Sequence, residues 1–570
     1  MAFMTAPHAR AKPEAVALRD ERGQVSWAEL DRRINRMIRA FQACGLKPGD
    51  RIALFAGNSR EVFELMIAAG HAGLSYVPVN WHFTVDELAY VLQDCEAKGV
   101  FTDLQFAPIA IEALRRVPAA GTCLKLIAPV GEATSASTTH AVDRTALDQP
   151  ALDRVAPDRA APDRAAPDRA ALDRAALDRA VPEGWTWFED WMAGAISEDE
   201  PEHQSAGGPM FYTSGTTGRP KGVVRAGSGS AVPVETLKPM AFGLTQSLQL
   251  PLDGLTLLAG PYYHSAQWAY GFQPVMAGIS VLITRRFDAA QTLFLIDTHR
   301  VTHVHLVPTQ FIRLLRLPQA QRERFSGDSL AMIWHGAAPC PPEVKRAMID
   351  WWGPCIHEYY GSTEGSVVTG ISSQEWLERP GSVGRATFQC DVAIHRDDGS
   401  IASVGESGAI YMRNRRGVSL RYHNDAVKTE SAHREGGWFT TGDVGWLDAD
   451  DYLHLTDRKI DMIISGGVNI YPAEIEAVLA AHPAVHDVAV IGVPNAEFGE
   501  EVKAVIQLTP GHRESTALVE ALAQHCRLSL AGYKQPRSFD FKDELPRTET
   551  GKLYKRLLRE AYWQGQQRRI

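Results

Sequence analysis

The sequence lacks the features that mark several common classes of protein. Its 570 residues contain no run of about 18 apolar residues that could span a bilayer, and the N-terminal stretch MAFMTAPHARAKPEA has no apolar core of a secretion signal. The seven cysteines are odd in number and form no Cys-x-x-Cys pair, which argues against a disulfide framework. The formal net charge of −9 gives no positive field for nucleic acid or an anionic membrane. We therefore expect a cytoplasmic protein without integral membrane association or a nucleic-acid partner.

Three catalytic or metal signatures are also missing. No G-x-S-x-G elbow indicates a hydrolase. The G-x-x-x-x-G-K-[ST] phosphate loop is absent, because Pro220 stands where its second glycine would be. His335, Cys340, Cys355 and His357 lie close in sequence, but their spacings are poor for zinc. The function must therefore be sought in other motifs.

One segment, from Ala141 to Ala180, has low complexity, with an aspartate at every fifth position. A period of five builds no apolar stripe on a helix and alternates faces on a strand, and Pro157, Pro162 and Pro167 oppose both. One buried leucine per repeat would contribute about 1.5 to 3 kcal/mol. Ordering five residues costs about 5 to 10 kcal/mol. The segment is predicted to be a solvated, disordered insertion, with a docking arm or a short β-helical coil as the alternative.

The rest of the chain alternates between two patterns. Short apolar runs at residues 51–57, 75–80 and 280–287 predict buried strands, and amphipathic stretches such as residues 61–73 predict helices between them. Strands that alternate with helices indicate a layered α/β body with largely parallel sheets. After about Asp457 the chain becomes a compact mixture, with a helix opened by Pro472. We therefore predict two domains, residues 1–456 and 457–570.

The stretch YTSGTTGRPKG, residues 212–222, is dense in glycine and hydroxyl groups. Glycines allow backbone N–H groups to close on phosphate oxygens, hydroxyls donate further bonds, and a lysine adds a positive charge. A solvated surface turn would explain the glycines but not four hydroxyls in five positions. The stretch predicts a triphosphate cradle made by Thr213, Ser214, Gly215, Thr216, Thr217, Gly218 and Lys221.

This loop resembles the signature loop of the adenylate-forming, or AMP-binding, acyl-CoA synthetase superfamily, in its acyl-CoA ligase branch. Further family motifs follow in order: YYGSTEG at 359–365, TGD at 441–443, DRKID at 457–461 with SGG at 465–467 and YPAEIE at 471–476, and PRTETGKLYKR at 546–556. The resemblance runs from near residue 13 to about 560, with 141–180 as an insertion. It implies an α/β fold in which a large N-terminal domain of layered α/β sheets carries a small β-barrel-like subdomain. A small, mobile α+β C-terminal domain follows.

The resemblance implies a binding role for each motif. Tyr360 is expected to stack on adenine, opposite a slot formed by Gly336, Ala337 and Ala338. Thr363 is expected to donate to the α-phosphate, and Glu364 to ligate Mg²⁺, a hard ion that prefers oxygen ligands.

The ribose is expected to contact two residues from different motifs. Asp443 can accept from both hydroxyls of the sugar, and Arg458 should reach the same ribose. The family usually has a polar hinge residue two positions after this arginine, where this chain has Ile460. Ile460 is still expected to be the hinge residue, but the contacts of its side chain cannot be carried over from the family.

Catalysis is expected to involve Lys552, whose ammonium could bridge the substrate carboxylate and the α-phosphate, together with Glu364 and Thr213. Gly466 and Gly467 should line a channel for coenzyme A after the C-terminal domain rotates. Three basic residues after this lysine, Lys555, Arg556 and Arg559, are interpreted as a solvated helical face.

The acyl pocket is implied around the stretches 264–270, 307–311, 334–336 and 359–361. Its candidate residues are His264, Ala266, Tyr270, Thr309, Tyr359 and Gly361. These stretches are mostly apolar and contain no acidic or basic side chain, which favours an aliphatic, alicyclic or aryl monocarboxylic acid.

The predicted function is ATP-dependent activation of a carboxylic acid to its acyl-AMP with release of pyrophosphate, followed by thioester formation with coenzyme A. ATP and Mg²⁺ serve the first step, and coenzyme A is the co-substrate of the second. Transfer to a carrier-protein thiol is the first alternative. A non-catalytic binding or scaffold protein of the same fold is the remote one.

Overall fold

The computed structural model describes most of the chain. The described residues are 2–117, 124–128, 181–194, 201, 203–213, 220–225, 232–396, 398–415, 417, 420–458, 461–465, 468–495, 498–547 and 553–564. The predicted pentad insertion, 141–180, lies outside these ranges. No helix in this described part of the chain is both long enough and apolar enough to cross a membrane.

The largest sheet, here called sheet A, has nine strands: six neighbouring strands run parallel, with two antiparallel strands added at one side and one at the other. In spatial order the strands are Arg385–Ala386, Ser366–Ile371, Ile356–Ser362, Met332–His335, His303–Leu306, Leu255–Leu258, Ser280–Ile283, Val16–Asp20 and Gly23–Ser26. The central strands are short and almost wholly buried, which is typical of parallel strands covered by helices on both faces. The predicted strand within 280–287 is confirmed.

The second sheet, sheet B, has six parallel strands. Its strands in order are Thr186–Trp187, Leu124–Ala128, Gly99–Asp103, Arg51–Phe55, Ser75–Pro78 and Gly208–Pro209. The predicted strands within 51–57 and 75–80 belong to it. Its crossover helices begin at defined caps: Ser59 accepts from the backbone N–H of Val62, and Thr84 forms a capping box with Glu87.

Helices cover these sheets and connect their strands. The α-helices are Ala6–Ala11, Trp27–Ala43, Arg60–His71, Val85–Asp94, Ala107–Arg115, Phe188–Ala193, Leu237–Ser247, Ser265–Met276, Ala289–His299, Pro308–Leu315, Gln319–Arg324, Pro342–Trp352, Ser373–Glu378, Ala426–Ala432, Pro472–Ala480, Thr516–Ser529 and Lys555–Tyr562. Short 3₁₀ turns occupy Val234–Thr236, Glu435–Gly437 and Gly532–Lys534. The layered α/β class predicted from the alternation of strands and helices is confirmed.

Smaller antiparallel sheets extend the large body. One comprises His433–Arg434, Trp438–Phe439, Gly408–Asn414, Asp443–Leu447, Leu453–Arg458 and Cys390–His395, and it shares a buried core with Tyr360 and Val368 of sheet A. It corresponds to the small β-barrel-like subdomain that the resemblance implies. A three-stranded sheet comprises Phe211–Thr213, Lys221–Arg225 and Leu420–Tyr422, and a two-stranded one Val232–Pro233 and Ser205–Ala206. The strands of the three-stranded sheet flank the predicted triphosphate cradle.

The C-terminal part is an α+β unit with a separate core of aliphatic side chains. Its sheet comprises Val468–Ile470, Ile463–Ser465, Gly499–Leu508, Val485–Asn495 and Ser538–Phe541. The helix predicted to open at Pro472 is confirmed, and its Ile475 and Leu479 are fully buried. The Arg316 guanidinium joins this unit to the large body at 2.9 Å from Nε2 of His486. The predicted boundary between 456 and 457 falls within strand Leu453–Arg458 and stays a prediction.

Candidate active site

Two residues from distant motifs form the centre of the site. The phenolic hydroxyl of Tyr360 donates to Oδ2 of Asp443 at 2.8 Å, and the hydroxyl of Thr441 donates to the same oxygen at 2.8 Å. Tyr360 and Asp443 are both more than nine-tenths buried. In the antiparallel pairing of their strands, Asp443 stands opposite Arg458. The backbone therefore places both predicted ribose residues next to the predicted adenine residue.

The predicted adenine slot is built around a close approach of two backbones. A Cβ added to Gly336 would lie 2.6 Å from the carbonyl oxygen of Tyr359 and 2.7 Å from its ring, so only glycine fits here. The next residue, Ala337, has a φ of 65°, in the left-handed region that alanine rarely adopts. A register shift between Tyr360 and Gly361 marks a bulge in the strand, and such bulges often re-aim side chains beside active sites.

The predicted phosphate and metal residues lie at the turn after this strand. Thr363 and Ser265 share a hydrogen bond of 2.8 Å between their hydroxyls. Oε1 of Glu364 accepts from the hydroxyl of Tyr422 at 3.1 Å. Both predicted residues are half-buried, so they can still meet a ligand. Tyr422 was missed by the sequence reasoning, because no motif links it to a carboxylate 58 residues earlier.

Lys428 lies near this carboxylate and beside a second lysine, Lys221. Nζ of Lys221 pairs with Oδ2 of Asp425 at 2.7 Å, and Nζ of Lys428 lies 4.3 Å from the ring centre of Tyr422. Partial burial, followed by the charge of Lys221, lowers the pKa of Lys428. Lys428 was also missed by the sequence reasoning. Lys428 therefore brings a positive charge near Glu364, and Lys221, which is paired with Asp425, lies beside Lys428.

The predicted triphosphate cradle is described only at its two ends. Thr213 pairs with Lys221 across an antiparallel hairpin, whereas Ser214, Gly215, Thr216, Thr217 and Gly218 lie outside the described residues. The end of helix Val85–Asp94 anchors this hairpin, because the hydroxyl of Tyr212 donates to Oδ2 of Asp94 at 2.6 Å. A surface cavity of about 330 Å³ opens here, lined by Tyr90, Asp94, Lys221, Gly222, His423, Asn424 and Asp425.

The predicted acyl-pocket residues fall into two groups. Tyr270 and Tyr359 are buried together in one aromatic cluster, with ring centres 5.6 Å apart. His264 precedes helix Ser265–Met276 as its N-cap, with its ring 4.5 Å from that of Tyr263. The remaining predicted residues, Ala266, Thr309 and Gly361, are half-buried.

A buried histidine missed by the sequence reasoning joins this cluster. The ring centre of His305 lies 4.6 Å from that of Tyr270, and its Nε2 lies 3.1 Å from the hydroxyl of Tyr359. It belongs to the buried strand His303–Leu306, where a histidine is most simply interpreted as an ordinary core residue. No sequence signal distinguished it.

Several predicted residues cannot be placed. Lys552, Gly466, Gly467 and Ile460 lie outside the described residues, and so does the side chain of Arg458. Described residues on the two sides of the predicted lysine loop are held together, because Arg547 and Leu553 form a β-bridge. Strands Ile463–Ser465 and Val468–Ile470, which flank the two glycines, pair antiparallel.

One sequence interpretation near this loop is wrong. Lys555 is buried and pairs with Oε1 of Glu476 at 2.8 Å, and Arg559 pairs with Oδ1 of Asp461 at 3.0 Å. Only Arg556 of the three basic residues is exposed. The ion pairs tie the last helix to the start of the C-terminal unit, so this face is a packing surface.

Two parts of the chain match a known enzyme family. Residues 6–423 match the family "AMP-binding enzyme", and residues 474–552 match its C-terminal domain. The chain belongs to the AMP-binding enzyme family. This membership confirms the resemblance predicted from the ordered motifs.

Among members of the AMP-binding enzyme family, the chain is 31% identical over 560 residues to a feruloyl-CoA synthase from Amycolatopsis sp, covering 97% of each protein. It is 28% identical over 551 residues to the long-chain-fatty-acid–CoA ligase FadD13 from Mycobacterium tuberculosis, covering 95% of this chain and 93% of the relative. The solved structure of o-succinylbenzoate CoA synthetase (MenE) from Bacillus subtilis, in complex with the acyl-adenylate intermediate OSB-AMP, aligns with a TM-score of 0.72 at 26% identity. The alignment covers 98% of each chain. The predicted fold and the predicted enzyme class, an AMP-forming acyl-CoA ligase, are confirmed by these findings.

Proposed function

We propose that this chain activates a neutral monocarboxylic acid as its acyl-adenylate and then transfers the acyl group to coenzyme A. The observation that carries the proposal is the hydrogen bond from Tyr360 to Asp443. This bond links an aromatic ring to a buried carboxylate that is already oriented by two hydroxyl donors. The residue before this ring, Tyr359, packs against Gly336 of the predicted adenine slot. A ring and a carboxylate linked in this way suit a nucleoside, which presents a flat base and a diol at a fixed separation.

In the first half-reaction, a carboxylate oxygen attacks the α-phosphorus of ATP while the bond to the pyrophosphate oxygen breaks. The site must hold two anions together, so positive charge and hydrogen-bond donors at the phosphates stabilise the transition state. Lys221 and Lys428, which lie beside each other, are assigned to the departing pyrophosphate, and Thr363, which shares a hydrogen bond with Ser265, is assigned to the α-phosphate from the family resemblance. Lys552 is assigned to the attacking carboxylate from the family resemblance.

The residues around Glu364 fit a magnesium ion. Mg²⁺ takes oxygen ligands and is usually bound through one or two carboxylates plus substrate phosphates. Glu364 offers a half-buried carboxylate, and no group of three or more potential metal ligands is found in the part of the chain that the structure describes. When bound, the ion would neutralise phosphate charge.

In the second half-reaction, the thiol of coenzyme A displaces AMP from the acyl carbonyl. Gly466 and Gly467 are assigned to its channel from the resemblance, and the family's domain rotation would bring them to the site. The names of the relatives described above include CoA, which supports coenzyme A over a carrier-protein thiol as the acyl acceptor. A cytoplasmic location belongs to the same proposal and is supported by six described cysteines that are free thiols.

The test is acid-dependent exchange of labelled pyrophosphate into ATP, measured for a panel of aliphatic and aryl acids. We expect exchange with at least one acid and a loss of roughly 10-fold or more in Asp443→Asn, since a hydrogen bond to a charged partner contributes about 1.5 to 3 kcal/mol. Asp450→Asn is the matched control, because Asp450 pairs with Arg379 on the exposed surface. Exchange that never depends on an added acid, or that is equal in both variants, would contradict the proposal.

A further inference from the structure

Among the residues that the structure describes, a buried tyrosine hydroxyl in the predicted acyl pocket has no hydrogen-bond partner. Tyr270 is 3% exposed, and its hydroxyl meets neither a donor nor an acceptor in the described part of the chain. Leaving a buried polar group without a hydrogen bond is unfavourable, so each such group in a native structure needs an explanation. Burial raises the pKa of this phenol well above its usual range, so the group remains a proton donor.

The hydroxyl of Tyr359, which lies next to Tyr270, also has a proton that it can donate, as the hydrogen bonds of His305 indicate. The amide nitrogen of Gln267 lies 2.9 Å from Nδ1 of His305 and 3.3 Å from the backbone oxygen of the same residue. An amide nitrogen only donates, and the opposite amide orientation would place two oxygens against each other. Nδ1 therefore accepts, and the ring proton lies on Nε2.

The proton on Nε2 of His305 points to the hydroxyl of Tyr359, 3.1 Å away. Burial lowers the pKa of His305 to about 3, so the ring is neutral and has this single N–H. The hydroxyl of Tyr359 consequently accepts from the histidine, and its own hydrogen is not used in that bond. Burial also raises the pKa of Tyr359, which keeps this hydrogen in place.

The hydrogen-bonded chain that ends at the hydroxyl of Tyr359 is closely packed and buried. Gly260 packs so closely on Gln267 that an added Cβ would lie 2.7 Å from the amide carbon. Gln267 is 2% exposed and His305 is 1% exposed. The arrangement Gln267, His305, Tyr359 is therefore a buried hydrogen-bonded chain whose last member still has a hydrogen to donate, with the hydroxyl of Tyr270 nearby.

This chain borders the nucleotide site. Tyr359 and Tyr360 are adjacent in one strand but belong to different clusters of buried side chains, and the ring of Tyr359 backs the Gly336 slot. The hydroxyls of Tyr359 and Tyr270 thus lie on the other side of the strand from the bond between Tyr360 and Asp443. If the carboxylate of the acid substrate is bound at the α-phosphate, the remainder of the acid would be expected in this region.

We infer that Tyr270 and Tyr359 together bind a neutral oxygen acceptor on the body of the acid, such as a ketone, ether or phenol oxygen remote from the carboxyl group. The inference rests on the proposed function, because the site is the acyl pocket of that reaction. The described side chains around these hydroxyls supply donors but no positive charge: besides the two phenols they are Trp334, the neutral ring of His305 and the aliphatic residues Leu248, Leu250 and Ile279. A second carboxylate would be buried without a counter-ion there, so an uncharged acceptor is selected.

The experiment compares pairs of acids that match in shape and differ in one oxygen. Suitable pairs are 4-methoxybenzoate with 4-ethylbenzoate and 5-oxooctanoate with octanoate. For each acid, kcat/KM for pyrophosphate release is measured in the wild type, in Tyr270→Phe and in Tyr452→Phe. The last variant is the control, since Tyr452 donates its hydroxyl to Glu375 outside this cluster.

We expect the wild type to prefer the oxygenated member of at least one pair, and Tyr270→Phe to reduce that preference roughly 5-fold or more, since a neutral hydrogen bond is worth about 1 kcal/mol and an unpaired buried group more. Tyr452→Phe should leave the ratio as it is. Tyr270→Phe should melt at or above the wild-type temperature, because it removes an unpaired buried hydroxyl. A lower melting temperature with an unchanged ratio would mean that a water satisfies Tyr270, and the inference would be wrong.

Failure of the inference differs from failure of the proposed function. If the acids release pyrophosphate but both members of every pair react alike in wild type and Tyr270→Phe, the function stands and the inference is overturned. If no acid in the wider panel supports pyrophosphate exchange, the proposed function is overturned, and the inference with it.

Discussion

The hydroxyl of Tyr360 donates to Oδ2 of Asp443 across 83 residues of sequence, at 2.8 Å. Tyr360 lies on a strand of sheet A, and Asp443 begins a strand of the small antiparallel sheet. The bond therefore fixes the base-binding ring and the ribose-binding carboxylate of the proposed site relative to each other at the meeting of two sheets. Preorganisation of this kind reduces the ordering cost of binding the nucleotide.

Removing that bond should weaken ATP binding more than it slows the chemistry. Tyr360→Phe keeps the aromatic face and removes only the hydroxyl donor, so we expect the KM for ATP to rise roughly 10-fold, corresponding to about 1.4 kcal/mol. Tyr360→Ala should raise it further, because stacking is lost as well. The measurement is acid-dependent pyrophosphate exchange against ATP concentration. Equal KM values in Tyr360→Phe and wild type would remove this bond from nucleotide binding.

The carboxylate of Glu364 should control the response to magnesium. Glu364→Gln keeps an oxygen that can accept from Tyr422 but removes the negative charge. We expect exchange activity to fall and the half-saturating magnesium concentration to rise. Tyr422→Phe is the comparison, since it removes the hydrogen bond and keeps the charge, and should shift magnesium dependence less. Unchanged kinetics of Glu364→Gln at low magnesium would exclude it as a ligand.

Buried histidines should make the fold sensitive to mild acid. Burial lowers the pKa of His71 to about 4 from 6.5, and that of His303 to about 4. A histidine that stays neutral in the folded protein contributes stability above pH 6.5, and this is lost as the pH falls toward 4. The loss is about 1.4 kcal/mol per pH unit for each such residue, or about 2 kcal/mol at pH 5.

The difference between a variant and the wild type isolates this effect. Glu64, whose pKa burial raises to about 7, acts with the opposite sign in the same range. We therefore expect the melting temperature of His71→Gln to fall less between pH 7 and pH 5 than that of the wild type, whatever its value at pH 7. Parallel decreases in the two proteins would show that His71 is protonated in the fold.

The two half-reactions should be separable by variants of residues outside the described part of the chain. Lys552→Ala should slow adenylation by roughly 100- to 1000-fold, about 3 to 4 kcal/mol, by analogy with the loss of one oxyanion donor. Supplied with preformed acyl-adenylate, it should still form acyl-CoA. Gly467→Leu should do the reverse, because a side chain would fill the proposed thiol channel. If either variant impairs both steps equally, the assignment of the two residues to different steps is wrong.

Much of the fold could be predicted from local patterns. The strands within 51–57, 75–80 and 280–287 are apolar runs whose residues are mostly buried. The helix at Pro472 is marked in the sequence by its opening proline and by its apolar face. The large body and the small C-terminal unit followed from the resemblance. These features depend on neighbouring residues, which is why periodicity and motifs could identify them.

The contacts inside the site could not be predicted in the same way. Tyr422 and Lys428 lie beside Glu364 only because strand Leu420–Tyr422 adds to the phosphate-loop hairpin. His305 looks like a core residue until the amide of Gln267 fixes its tautomer. Such partners are chosen by tertiary packing between segments far apart in sequence, and no local period encodes them.

A charged face was misjudged for a related reason. Lys555 and Arg559 occupy a face of the last helix that its charged residues suggested was exposed. They pair instead with Glu476 and Asp461 of the C-terminal unit. Sequence alone distinguishes charged from apolar residues but not solvated charges from paired ones.

The central claim is that this chain forms an acyl thioester at the expense of the α,β-bond of ATP. The most direct measurement incubates the wild type with ATP, Mg²⁺, coenzyme A and the acid panel, and quantifies nucleotides and thioesters by mass spectrometry. The account predicts one AMP and one pyrophosphate for each acyl-CoA formed, with acyl-AMP accumulating when coenzyme A is left out. Formation of ADP and phosphate instead of AMP, or consumption of ATP with no acyl-AMP or thioester from any acid, would contradict it.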